Sequence, residues 1–234
     1  MELSIIGSGS SGNCYVLKAD NGRCVILDCG LPFREITGNK KFCGFSKIDF
    51  VFCSHSHSDH NKSLQEFKKS GCEIVSYETL EQRIDYETLE QQIYKFNIGD
   101  WECTTFPVAH NVPCWGIILK FIPTNEKFCY VSDFTKMPII EGIDHWLMEV
   151  NYSMGWVEYK AEHDIDIGNV GYLHHHSLED TIEYFEKIKT RPKSITCCHL
   201  SSVNAMEGTI IKQLKPFADK INIAKKGETY GNRQ

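Results

Sequence analysis

A seven-residue string, Ser54-His55-Ser56-His57-Ser58-Asp59-His60, gathers four metal-ligating side chains into one short stretch. Imidazole nitrogens and carboxylate oxygens are the ligands that zinc and related divalent ions take. Residues two apart in an extended segment project to the same side, so His55 and His57 can hold one ion together. Where the chain turns into a helix expected from Asn61, Asp59 and His60 point elsewhere and can hold a second ion. The serines between the ligands are small and leave them room.

Two ions need further ligands, and the sequence offers them in a consistent kind of place. His110 ends the strand-like run Cys103–Ala109, Asp133 ends Phe128-Cys-Tyr-Val-Ser, and His199 ends Ile195-Thr-Cys-Cys. Asp28 ends Cys24-Val-Ile-Leu. Functional groups of sheet proteins collect at the C-terminal edges of their strands. Any one of these residues alone reads as a loop residue without a role. Four of them beside the His/Asp string describe a site.

The elements that must position them are legible. Strand-like runs cover Leu3–Ile6, Cys14–Lys18, Cys24–Asp28, Asp49–Cys53, Glu73–Ser76, Cys103–Ala109, Trp115–Phe121, Phe128–Asp133, Trp146–Val150, Ser194–Cys198 and Lys220–Ala224. Asp20-Asn21-Gly22 is a hairpin turn between the second and third. Helices are expected over Asn61–Ser70, from the capping box Ser177-Leu-Glu-Asp180 through Ile188, and over Ala205–Leu214. Tyr77-Glu-Thr-Leu-Glu-Gln recurs at Tyr86–Gln91, a nine-residue repeat that suits an amphipathic surface helix and is too short for an array. Many short strands with few helices imply sheets with helices packed outside them, in one domain over 1–234.

Composition narrows the class. The 234 residues are 41% hydrophobic and 24% charged, which excludes disordered and fibrous chains. The net charge of −6 leaves no basic face for gripping long duplex through its phosphates. No apolar stretch reaches the length of a membrane span. The N-terminal Met1–Gly7 lacks the basic start and apolar run of a signal peptide, so the reading is cytoplasmic. The eleven cysteines include no Cys-x-x-Cys pair. Cys24, Cys53, Cys103, Cys129 and Cys197 stand in apolar strands and read as reduced core residues.

With these residues in view, the sequence resembles the metallo-β-lactamase-fold hydrolases over nearly its whole length. Gly7-Ser-Gly-Ser-Ser-Gly-Asn13, Ile98-Gly-Asp-Trp, Phe106-Pro-Val-Ala-His110 and His199-Leu-Ser narrow the likeness to the YycJ/WalJ-like group, beside ribonuclease Z and J enzymes and phosphodiesterases. The resemblance implies an α/β fold, a four-layer αβ/βα sandwich with a dinuclear metal site on one edge of two facing sheets. It implies that His55, His57 and His110 hold one ion, that Asp59, His60 and His199 hold the other, and that Asp133 bridges them. Asp28 would orient the ligand loop from behind. The two ions, zinc first and manganese second, would lie about 3.5–4 Å apart and activate a shared water.

Two departures stand out. Asn111 occupies the position after the third metal histidine where relatives usually carry Asp. His174-His175-His176-Ser177 stands where relatives read roughly Gly-His-Leu-Ser. Counting back from Ser177 aligns His175 with the family histidine that meets substrate phosphate or acts as general acid. Asp59 is the expected catalytic partner of the water. His174, His176, His145 and His163 read as bland. Ser10, Ser11 and Asn13 are candidates for contacts to substrate phosphate. Gly155–Gly171, with Trp156, Tyr159 and His163, has no clear counterpart and could shape substrate choice or a homodimer contact.

The implied activity is hydrolysis of a phosphodiester, first in DNA or RNA. A phosphodiesterase for small or cyclic nucleotides is the alternative, and a non-catalytic metal-binding interaction protein the second.

Overall fold

The computed structural model describes residues 1–81, 93–168 and 174–231. Thirteen strands are found among them. They are β1 (Glu2–Gly7), β2 (Cys14–Lys18), β3 (Cys24–Leu27), β4 (Ile48–Cys53), β5 (Ile74–Ser76), β6 (Tyr94–Ile98), β7 (Trp101–Val108), β8 (Cys114–Phe121), β9 (Glu126–Val131), β10 (His145–Glu149), β11 (Ser194–Cys198), β12 (Lys220–Ile223) and β13 (Thr229–Gly231). Seven α-helices accompany them: α1 (Phe33–Thr37), α2 (Ser58–Asn61), α3 (Leu64–Lys69), α4 (Tyr77–Glu81), α5 (Met154–Glu162), α6 (Leu178–Glu186) and α7 (Glu207–Leu214), with one 3-10 turn at Phe45–Lys47. The strands form two mixed sheets, ordered β13-β1-β2-β3-β4-β5 and β12-β11-β10-β9-β8-β7-β6.

Alternation along the strands explains the layering. In β3, Val25 and Leu27 point into the core between the sheets, and Cys24 and Ile26 point outward beneath α1 and α3. In β10, Leu147 points inward while Trp146 and Met148 meet Leu178 and Phe185 of α6 and Ile210 and Leu214 of α7. Both faces of these strands are buried, which is why they read as unbroken apolar runs. Helices, sheet, sheet and helices make the four-layer αβ/βα sandwich that the resemblance implied. All eleven cysteines are free thiols, and the five assigned to the core are buried. No helix among the described residues is long and apolar enough to cross a membrane.

Some elements differ from expectation. The helix expected over Asn61–Ser70 is two helices, and the first begins at Ser58, so Asp59 and His60 lie in its first turn rather than before it. Ser63 interrupts the run because it is pinned to the loop after β3. Its hydroxyl donates to the Leu31 carbonyl (2.5 Å) and its N–H to that of Cys29 (2.9 Å). Strands β6 and β13 and helices α1 and α5 are additions. In the nine-residue repeat, Tyr77–Glu81 is helical, and the rest of the expected helix lies outside the described residues. Residues 169–171 of the Gly155–Gly171 segment lie outside them as well. The capping box at Ser177 is formed: its hydroxyl accepts the Asp180 N–H (3.0 Å), and Asp180 accepts the Ser177 N–H in return.

Candidate metal centre

The chemistry-bearing residues meet at the C-terminal edge of the two sheets. His55 and His57 follow β4, His110 follows β7, Asp133 follows β9 and His199 follows β11. Asp28, Asp133 and His199 have positive φ angles of 55°, 53° and 52°. Non-glycine residues adopt this left-handed conformation at a cost, and it persists where the surroundings demand it. Here it turns each side chain inward directly off the end of its strand. Gly30 permits the approach from below. A Cβ there would sit 1.6 Å from the Asp59 carbonyl oxygen, so the loop after β3 can pass under the ligand helix only with glycine.

Among the described residues, three groups of ligand atoms result, each within 4.8 Å: His55, His57, His110 and Asp133; then Asp59, His60, Asp133 and His199; and a third, Asp133, Glu149, His175 and His199, which shares two members with the second. In the first, His57 Nδ1 lies 3.1 Å from His55 Nε2 and 3.3 Å from His110 Nε2. In the second, His60 Nε2 is 3.5 Å from Asp59 Oδ2, and His199 Nε2 is 3.4 Å from the same oxygen. Ligands about 2.1 Å from one ion in a tetrahedron lie roughly 3.4 Å apart, so these spacings suit bound divalent metal. Asp133 belongs to all three. Its Oδ2 is 3.7 Å from His55 and 3.9 Å from His110, and its Oδ1 is 3.3 Å from His60 and 3.5 Å from His199.

Electrostatics divide the groups. Burial, reinforced by His60, pushes the His55 pKa down to about 2, and burial lowers His110 as well. These imidazoles are neutral, as metal ligands must be. Burial also opposes charge on His60, but Asp133 and Asp28 outweigh it and carry its pKa well above the usual range. His199, equally buried, is raised to about 10 by Asp133, Asp59 and Glu149. Burial favours a neutral Asp133, yet His60 and His199 hold its carboxyl well below the usual value. Among the described residues, Asp28, Asp59, Asp133 and Glu149 pair with histidines alone and with no lysine or arginine. A site rich in carboxylates and balanced only by titratable rings suits cations, which would displace those protons.

Asp28 is wholly buried behind the ligands. It accepts the Ser54 N–H (2.8 Å) and the hydroxyls of Ser54 (2.9 Å) and Tyr130 (2.5 Å), and it lies 2.5 Å from His60 Nδ1. His60 is thereby turned so that Nε2 faces the cluster. Asn13 is also wholly buried: its Oδ1 accepts the Gly9 N–H (2.9 Å) and its Nδ2 donates to the Gly9 carbonyl (3.2 Å). Its amide fixes the glycine loop against His60, whereas Ser10 and Ser11 are exposed on that loop. Ser8 of the same loop accepts the His199 N–H (3.0 Å).

The sequence reading missed Glu149. This buried acid ends β10 and takes His175 Nδ1 at 2.6 Å and His199 Nδ1 at 2.9 Å. The rule that found Asp28 and Asp133, an acid closing an apolar strand, applies to Trp146-Leu-Met-Glu149 without change. Burial opposes charge on His175, but Glu149 raises its pKa. The His175 side chain reaches within 4.0 Å of Asp133. His174 is exposed. His176 is buried and stacked on Phe134 with ring centroids 4.2 Å apart. His145 lies on the far edge of the sheet, and His163 caps α5.

Comparisons with known proteins agree with this fold. Exodeoxyribonuclease WalJ of Streptococcus pneumoniae is 25% identical over 246 aligned residues, covering 91% of this chain and 88% of WalJ. The crystal structure of YhfI, a metallo-beta-lactamase fold protein from Bacillus subtilis, superimposes with a TM-score of 0.69 at 18% identity over 98% of each chain. Human tRNase Z, short form, does so with a TM-score of 0.62 at 13% identity over 99% of each. The sequence profile of the Metallo-beta-lactamase superfamily matches residues 7–198. This chain belongs to the metallo-beta-lactamase superfamily and is one of its metal-dependent hydrolases.

Proposed function

We propose that this protein is a nuclease that hydrolyses phosphodiesters of DNA or RNA with two divalent ions, zinc in the first instance and manganese as the alternative. The observation that carries the reading is the Asp133 carboxylate, whose two oxygens face two separate ligand groups while His175 and Glu149 stand beside it. His55, His57 and His110 would hold one ion, Asp59, His60 and His199 the other, with Asp133 shared. Ions held there supply positive charge to the phosphodiester and acidify water for in-line attack.

The remaining work falls to the chain's own groups. Asp59 Oδ2, within reach of both His60 and His199, accepts a hydrogen bond from the attacking water and orients it. Glu149 keeps a proton on His175 and fixes its ring, so that His175 can deliver a proton to the leaving oxygen. Ser10 and Ser11, exposed on the glycine loop, are the proposed contacts to phosphate oxygens. The name and coverage of the WalJ relative favour a nucleic-acid diester. Eleven free thiols suit a reducing compartment, and the cytoplasm is the proposed location.

The test is turnover of linear DNA, RNA and cyclic mononucleotides by protein of known metal content. The expected result is two ions per chain and chelator-sensitive cleavage of a polynucleotide. A marked preference for cyclic mononucleotides would replace the nuclease reading with the small-nucleotide one. Metal without any diester turnover would leave only a binding role.

A further inference from the structure

Asp28 and His199 share the left-handed backbone at the metal rim, yet they are held in it differently. Each lies just beyond its strand, outside the sheet ladder, so its peptide groups need other partners. The Asp28 N–H is answered by main chain, the Phe52 carbonyl (2.8 Å). At His199 both groups are answered by side chains. Its N–H donates to Ser8 Oγ (3.0 Å), and its carbonyl accepts from Asn151 Nδ2 (2.7 Å).

Asn151 is fixed for this contact. It is buried two residues beyond Glu149, and its main chain is tied at both ends. Its N–H donates to the His176 carbonyl (2.8 Å), and its carbonyl accepts the Ser201 N–H (2.8 Å). The stretch after β10, the histidine run and the loop that carries His199 therefore meet at one residue. Asn151 Nδ2 also lies 3.3 Å from His199 Nδ1. That ring nitrogen is turned to Glu149 Oε1 (2.9 Å), which leaves Nε2 facing Asp59 Oδ2 (3.4 Å).

The chemistry of a carboxamide suits this place. Its Nδ2 donates hydrogen bonds without carrying charge. Among four carboxylates and several imidazoles, it can secure a carbonyl without adding negative charge. Without it, the buried His199 carbonyl loses its partner, and the left-handed turn loses one of its two side-chain restraints. His55, His57 and His110 stand after β4 and β7, and Asn151 makes no hydrogen bond to either stretch among the described residues. Loss of the amide should therefore be felt on one side of the centre.

We propose that Asn151 is a positioning residue for the ion assigned to Asp59, His60 and His199: with Ser8 it clamps the turn at His199 and so aims Nε2 at that ion. The proposal rests on the two-ion part of the functional reading and is independent of which diester is cleaved.

The test is the affinity of each metal position. Full-length zinc-loaded protein is titrated with a chromophoric chelator, and His199→Ala and His57→Ala identify which withdrawal step belongs to which position. Asn151→Ala should weaken the His199 step about 10- to 100-fold and leave the His57 step unchanged. Asn151→Leu, which keeps the bulk and removes the donor, should do the same. Added to His199→Ala, Asn151→Ala should leave the affinity of the remaining ion unchanged. Equal weakening of both steps, or a lower melting temperature with both steps intact, overturns the proposal and makes Asn151 a general support of the fold. Selective weakening without turnover of any diester upholds Asn151 and overturns the nuclease reading. Cleavage of a polynucleotide by a variant with both affinities intact does the reverse.

Discussion

The two rims of the sandwich place histidines against carboxylates in different company. At the strands' C-terminal ends, Glu149 faces His175 at 2.6 Å. At the opposite rim, where β10 begins, Glu126 faces His145 at 3.1 Å beside a cavity of about 570 Å³ between the sheets. There the acid is also met by the Lys193 ammonium (3.3 Å) and by the N-terminal ammonium of Met1 (3.3 Å). Permanent cations complete that rim. At the metal rim, among the described residues, four carboxylates form ion pairs only with imidazoles, whose protons can leave. The same pair of residue types therefore forms a finished surface network in one place and a cation site in the other. The difference lies in whether fixed positive charge is within reach.

Breaking the metal rim at its shared ligand should have the largest effect. Asp133→Ala should lower metal content for both ion positions and reduce kcat/KM by more than about 10³-fold, measured by metal analysis and turnover on the same preparation. Retention of two ions would show that the groups are held independently.

Next in size is the proton-bearing pair. His175→Ala should keep both ions and lose roughly 10²–10⁴ in rate on a nucleotide diester, and lose far less on bis-p-nitrophenyl phosphate, whose leaving group scarcely needs a proton. An equal rise in KM for both substrates would instead make His175 a phosphate holder. Replacing His174, which is exposed, should cost little.

Asp28→Asn sharpens the comparison from behind the ligands. It keeps the shape but weakens the grip on His60 Nδ1, and metal affinity should fall about 10- to 100-fold, as read by chelator competition.

The smallest effect belongs to the opposite rim. Burial disfavours charge on Glu126, but His145 and the Met1 ammonium overcome it and lower its pKa to about 2. A carboxyl depressed on folding stabilises the fold above its unfolded value, near pH 4.3, and loses that contribution as pH falls towards 2. Glu126→Gln should leave turnover unchanged and cost at most about 3 kcal/mol near neutrality, the linkage value of that shift. Its melting temperature should converge on that of the wild type towards pH 2. A loss of metal in this variant would mean the rims are coupled.

Much of the site was legible because its ligands obey local rules. His55, His57, Asp59 and His60 are neighbours in sequence, and Asp28, His110, Asp133 and His199 each follow an apolar strand. The capping box fixed the helix start that registers His175. What the sequence did not reveal depends on strand neighbours. Glu149 belongs to the site because β10 lies between β9 and β11, which sets a residue 16 positions from Asp133 and 50 from His199 against both. Asn13 looked free to meet substrate, but folding buries it between the glycine loop and the ligand helix. Trp156 and Tyr159 were visible as aromatic residues, yet only tertiary packing could decide that they stack on each other and that Trp156 reaches the Val203 carbonyl, on the segment after His199. Spacing along the chain determines which groups can share a face. Which distant faces meet is decided by sheet order and burial, because those contacts form between residues whose separation in sequence carries no periodic signal.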